Sequence, residues 1–202
     1  DVAAARAAQA PIGFDKVPQI GPTPATVVAR QPLASLDMET VELSNGVRLV
    51  LFPNTAEANK VMVNVRFGGG ARTLPTKRQT AHWAGDAALY ASGIADLGAD
   101  ELDRLTSARR IGISFETEED TFELKGVTRA ADLEDELHLM AAQLTFPKWD
   151  AAPVNRLRAA MLAGYESQSA NAQAVMGREL PSLLKSGDPR WTTVEELQDA
   201  EV

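Results

Sequence analysis

The chain has 202 residues, with 20 Lys+Arg against 28 Asp+Glu, a net charge of -8 and a pI near 4.8. That length buries a real core, while the acidic balance, with no basic cluster, argues against a nucleic-acid or anionic-membrane surface. The absence of Cys excludes disulfides, thiolate metal sites and Cys nucleophiles, and no apolar run reaches the roughly 18 residues of a membrane span.

Ala supplies 33 of the residues, so helices should pack closely through small side chains. Residue 1 is Asp and no signal peptide follows, which marks a processed chain or a piece of a longer one. Residues 1–37 read as an arm rather than a domain. The Ala-rich opening Ala3–Ala10 gives way to Pro11, Pro18, Pro22, Pro24 and Pro32. Prolines at that density remove backbone donors and interrupt helices and ladders. The expectation is an extended linker or docking arm.

A hairpin is predicted from Thr40 to Pro53, turning at Asn45-Gly46, because both residues tolerate φ > 0. A strand follows over Lys60–Phe67, where Val61, Val63, Val65 and Phe67 alternate with Met62, Asn64 and Arg66. It runs into Gly68-Gly69-Gly70. Helical spacing covers Lys77–Ala91 and Asp100–Arg110, the second with Leu102 and Leu105 as its buried stripe. Two strands, Gly112–Glu116 and Thr121–Thr128, flank the acidic turn Glu118-Glu119-Asp120. In the helix Ala130–Leu144 the residues Leu133, Leu137, Met140 and Leu144 mark the inner face, and acidic residues crowd its N-terminal turns. Phe146-Pro147 stops it. A long helix starts near Ala152, with Val154, Leu157, Met161 and Tyr165 on one side, and continues with a break to Leu184. A short helix opens near Thr193, where Thr193 and Glu196 have capping-box spacing. The order β-β-β-α-α-β-β-α-α predicts an α+β fold: one antiparallel sheet with helices on one face.

Chemistry-bearing residues are sparse. His82 and Asp86 lie four apart on a predicted helix, so both can reach one metal ion. A third ligand and a base must come from elsewhere. On an ordinary helix the same pair simply hydrogen-bonds. His138, beside Leu137, reads as a half-exposed helix residue. The Gly68–Gly70 run lacks the Gly-Lys-Ser/Thr and immediate helix of a phosphate cradle, and reads as a strand exit. The acidic cluster Glu116–Asp120 lacks calcium-loop spacing and reads as a solvated hairpin tip. No complete catalytic constellation emerges.

The ordered set of segments resembles the pitrilysin/insulinase-type zinc metallopeptidases, which include the mitochondrial processing peptidase. Leu43-Ser44-Asn45-Gly46-Val47-Arg48-Leu49-Val50 resembles their opening hairpin. Val61–Gly70, the helix from His82, Gly112-Ile113-Ser114, Leu144-Thr145-Phe146-Pro147 and Gly187-Asp188-Pro189-Arg190-Trp191 follow in the family's order. Active repeats of that family carry His-x-x-Glu-His, with zinc on the two His and the Glu as base. The matching window here keeps His82 but has Gly85 at the base position and Asp86 at the second His position. The helix matching the third ligand, Ala152–Gly164, contains no Glu, and Glu166 is the nearest.

The resemblance implies a non-catalytic repeat, residues 38–202, from the inactive C-terminal half of a longer peptidase, preceded by the inter-half linker 1–37. It implies no metal in this segment, zinc in the catalytic half, and peptide substrate and the other repeats as partners. Trp83, Tyr90 and Arg72 are candidates to face those repeats. A periplasmic or secreted location is expected from the related bacterial enzymes. Two rivals stand beside this reading: a reduced metal site built from His82, Asp86 and Glu166, and a purely structural or assembly subunit.

Overall fold

β-Branched and aromatic residues at alternating positions build two three-stranded antiparallel sheets, with helices beside them, so the chain is α+β. The computed structural model describes residues 12–21, 23–76, 85–86, 89, 92–107, 109–168 and 170–191. Two expected helices, Lys77–Ala91 for the most part and the one opened at Thr193, lie outside the described residues, as does the Ala-rich opening. Chain contacts divide the molecule into two units, Gln19–Lys60 and a larger one formed by Asp1–Pro18 with Val61–Val202.

The smaller unit is a meander of β1 (Val27–Leu33), β2 (Met38–Leu43) and β3 (Arg48–Leu51). β1 lies within residues 1–37 and pairs with β2. Pro32 pairs opposite Glu39, and it is tolerated because β1 is an edge strand whose outer side needs no donor. The β2–β3 turn falls where Asn45-Gly46 predicts it. Only Gly46 has positive φ (85°), while Asn45 Oδ1 accepts from the Val47 amide at 3.2 Å. Val41 is buried, but Val28, Val50 and Phe52 are 66%, 55% and 58% exposed. Three short strands with one buried side chain do not make a self-sufficient core.

In the larger unit, β4 (Val61–Phe67), β5 (Gly112–Thr117) and β6 (Phe122–Thr128) form a second sheet with β6 at its centre. The expected single sheet is therefore two separate ones. Register pairs Val65 with Leu124, Leu124 with Phe115 and Ile113 with Gly126. These residues share one face, because alternate side chains point the same way. Leu124 and Ile113 are buried there, and Phe67, Phe115 and Phe122 pack at 5.7–6.3 Å between ring centres. The other face is polar. Glu123 lies between Arg66 (2.8 Å) and Lys125 (3.3 Å), and Lys125 also meets Glu116.

Among the described residues the longer helices of this unit are α1 (Ala99–Thr106), α2 (Leu133–Thr145), α3 (Ala151–Gln168) and α4 (Ala172–Leu184). α1 buries Leu102 and Leu105 as predicted, and the Glu101 carboxylate accepts from the Gly98 amide at 2.8 Å at its start. Asn171 Oδ1 restarts the chain as α4 by accepting from the Gln173 amide at 3.0 Å. The exposed apolar residues Met176, Leu180, Leu183 and Leu184 run along α4. Among the described residues no helix is long and apolar enough to cross a membrane.

α2 corrects the expected inner face. Leu137 and Leu144 are 44% and 41% exposed, whereas Glu136, Leu139, Met140, Ala142 and Gln143 are buried. The reason lies on the sheet. Gly126 offers no side chain, and a Cβ there would stand 2.3 Å from Glu136 Oε1 and 2.4 Å from Met140 Cε. The helix settles its long side chains over that gap, although Leu133, Leu137 and Leu144 make the more obvious stripe.

Candidate functional site

Of the degenerate motif positions, the structure describes two. Gly85 is exposed on a helical turn, and a Cβ there would meet nothing within 4 Å. Asp86 is half-buried, and its Oδ1 accepts from Thr117 Oγ1 at 2.5 Å at the end of β5. That carboxylate is tied to the sheet. His82 and the Glu166 side chain lie outside the described residues. Among the described residues, no group of three His, Asp or Glu is placed to hold a metal ion. A glycine cannot take a proton from water, so the described positions supply no general base here.

His138 is half-exposed, but it has a specific role. Its Nε2 donates to the Pro18 carbonyl at 2.8 Å, and its ring lies 6.3 Å from Phe14. Arg109 reaches over the same Phe14 ring at 4.5 Å and pairs with Asp135 at 2.7 Å. Val17 is buried. Residues 14–18 are thus fastened to α2.

The strongest clustering of chemistry joins segments far apart in sequence. Gly70–Thr73 forms a 3-10 turn against the β5–β6 hairpin tip, where the Ala71 amide donates to the Glu118 carbonyl at 2.8 Å and the Arg72 amide to the Glu119 carbonyl at 3.0 Å. Arg72 Nη2 meets Glu119 Oε1 at 2.8 Å, and Lys185 meets Glu119 Oε2 at 3.0 Å. The acidic tip is solvated, as expected, and its exposed carboxylates also pair with bases, Lys125 included. Beyond α4, Asp188 Oδ1 accepts from the Arg190 amide at 3.0 Å and from Arg190 Nε at 2.9 Å. Arg190 Nη1 then donates to the Arg72 carbonyl at 2.8 Å, and Lys185 lies 4.7 Å from the Trp191 ring centre. Hydrogen bonds from Arg190 hold the Asp188 carboxyl at about 2. The Asp188-Pro189-Arg190-Trp191 run is thus a clasp, and Arg72, a candidate to face other repeats, is held within this unit.

That clasp has an acid-side consequence. A carboxyl held below its ordinary value stabilises the fold above that value and stops doing so as pH falls through the lowered one. Arg190→Ala removes both the Asp188 pair and the bond to the Arg72 carbonyl. We expect a lower melting temperature at neutral pH and a difference from the parent chain that shrinks near pH ~2. Thermal scans by circular dichroism across acidic pH measure it.

No protein-family model matches the chain, and no curated protein matches it. Solved structures do. The ferredoxin protease FusC, solved as a mutant in complex with Arabidopsis ferredoxin, superposes with a TM-score of 0.67 at 19% identity, covering 93% of this chain and 21% of its own. The periplasmic protease PqqL from Escherichia coli gives 0.70 at 16% identity, with 92% and 21% covered. A protease from Helicobacter pylori gives 0.51 at 20% identity, with 61% and 30% covered. The chain spans about a fifth of the length of the first two proteins. At these identities the likeness shows a shared fold: the chain is built like one part of several larger proteases.

Proposed function

We propose that this chain is a non-catalytic repeat of a pitrilysin-type zinc metallopeptidase, forming part of a closed substrate chamber and packing on the catalytic half. The parent hydrolyses peptides with zinc bound outside residues 38–202, and residues 1–37 lead in from the other half. The observation that carries this reading is the coverage. Nearly all of this chain superposes on about a fifth of each of two proteases. Gly85 at the base position and the engagement of Asp86 by Thr117 support the non-catalytic assignment. Exposed Val28, Val50, Phe52, Leu183 and Leu184 suit surfaces that further chain covers. The polar face of the β4–β6–β5 sheet suits a wall facing peptide. A periplasmic location is compatible with PqqL, and a protein or peptide substrate with the ferredoxin complex of FusC.

Elemental analysis of the purified chain is the direct test. The expected result is substoichiometric zinc and no hydrolysis of a quenched fluorescent peptide library. Stoichiometric zinc that disappears in His82→Ala would support the reduced metal site and overturn the proposal. The parent sequence gives the second test: an intact His-x-x-Glu-His outside this segment is expected. Its absence would leave a structural or assembly role and end the peptidase reading.

A further inference from the structure

The segment that lies on α2 is tied to it by few contacts. Phe14–Lys16 forms a single 3-10 turn whose hydrogen bonds are its own. The Lys16 amide donates to the Gly13 carbonyl at 3.2 Å and the Val17 amide to the Phe14 carbonyl at 3.0 Å. Among residues 12–21 Val17 alone is buried, while Phe14 is half-exposed and Asp15 and Lys16 are exposed. Pro18 has no amide to donate, and its carbonyl accepts from His138 Nε2. The seat under Phe14 is built without the segment. Arg109 is fixed by Asp135 at 2.7 Å and by the Leu105 carbonyl at 3.1 Å. His138 rides on α2, whose opposite side buries Glu136 and Met140 against Gly126.

Turn and seat therefore keep their internal hydrogen bonds when they part. Parting exposes Val17, separates a half-exposed ring from Arg109 and breaks a neutral hydrogen bond from His138. It also frees the backbone of residues 14–18, and that entropy gain offsets much of the loss. A contact so balanced opens more readily than a sheet ladder. We infer that residues 14–18 are a releasable strap, which opens from α2 and reseats on it while the β4–β6–β5 sheet stays folded. The chain leaves the larger unit between Pro18 and Gln19 and returns to it between Lys60 and Val61. At the return it enters β4, which is laddered to β6 from Val61 to Phe67. At the exit, among the described residues, the strap is what holds it. Opening leaves the smaller unit anchored at Val61, and closing anchors it at both ends of its chain.

Amide hydrogen exchange of the full chain, followed by NMR, tests this. The Val17 amide reports the strap, and the Leu124 amide on the central strand reports unfolding of the sheet. Corrected for intrinsic rates, Val17 should exchange roughly a hundredfold or more faster than Leu124, with little dependence on low urea. Phe14→Ala and His138→Ala should each speed Val17 exchange by about fivefold, the loss of one weak contact. Ile113→Val loosens the sheet, which stays folded when the strap opens. It should speed Leu124 exchange by about fivefold and leave Val17 unchanged. The inference is overturned if Val17 and Leu124 show the same protection, if Ile113→Val speeds both equally, or if neither Phe14→Ala nor His138→Ala speeds Val17. Comparing the two amides in the unsubstituted chain needs no variant, so it decides even where a variant fails to fold.

Discussion

Raising the pH from about 5 to about 8 is expected to weaken the larger unit by roughly 2.5 kcal/mol through one residue, Glu136. Its side chain is 0% exposed, and neither carboxylate oxygen is matched by a well-formed hydrogen bond, the Gly112 backbone giving only a weak one. Burial pushes the carboxyl up to about 7, against a smaller opposing pull from the Gly112 backbone. The folded chain therefore holds this proton more tightly than the unfolded chain. Below about 4.5 both states are protonated and Glu136 has no effect on stability. Between that value and about 7 the unfolded state alone has lost the proton, so stability falls steadily as pH rises. Above about 7 the penalty is complete and constant. Urea unfolding of the parent chain and Glu136→Gln at a series of pH values reads this out. The variant should show no slope from this group and should be more stable by about 2 kcal/mol near pH 8, since a neutral buried amide costs less than a buried charge. Equal slopes in the two proteins would rule out Glu136 as the source.

The second large effect is expected at Gly70. Its φ of +56° is open to glycine at little cost. A Cβ there would stand 2.3 Å from the Glu118 carbonyl oxygen and 2.4 Å from the Thr121 amide nitrogen. Both are backbone atoms of the hairpin tip, so no rotamer change relieves the contact. Gly70→Ala combines a left-handed penalty with overpacking and should cost about 3 kcal/mol or more. Gly46→Ala is the matched control. It also has positive φ (85°), but nothing lies within 4 Å of its Cβ position, so it should cost only about 1–2 kcal/mol. Gly70→Ala should also loosen the Arg72–Glu119–Lys185 group, read as faster amide exchange at Ala71 and Arg72, whose amides donate to that tip. A destabilisation no larger than that of Gly46→Ala would mean that the tip gives way easily.

These two residues mark the boundary of what the chain reveals unfolded. The turn at Asn45-Gly46, the Val61–Val65 alternation, the β5–β6 hairpin and the Leu102/Leu105 stripe of α1 are legible because each follows from hydrogen bonding and side-chain direction within a few residues. The segments that resemble a peptidase family are legible for the same reason, as local patterns in a fixed order.

Distance along the chain separates the rest. Whether Pro32 ends a strand or rides on its edge depends on having Glu39 on one side and, among the described residues, no strand on the other. Gly68–Gly70 could be recognised as a strand exit, but its close approach to Glu118 and Thr121 arises some 50 residues away. Arg190 and Arg72 are joined across 118 positions, and no periodicity links them. Sequence by itself determined that α2 is a helix, since helical hydrogen bonds are local. Only the tertiary structure decided that it buries Glu136 and Gln143 rather than Leu137 and Leu144. The face a helix turns inward is set by the room on the surface opposite, and Gly126 on β6 supplies that room.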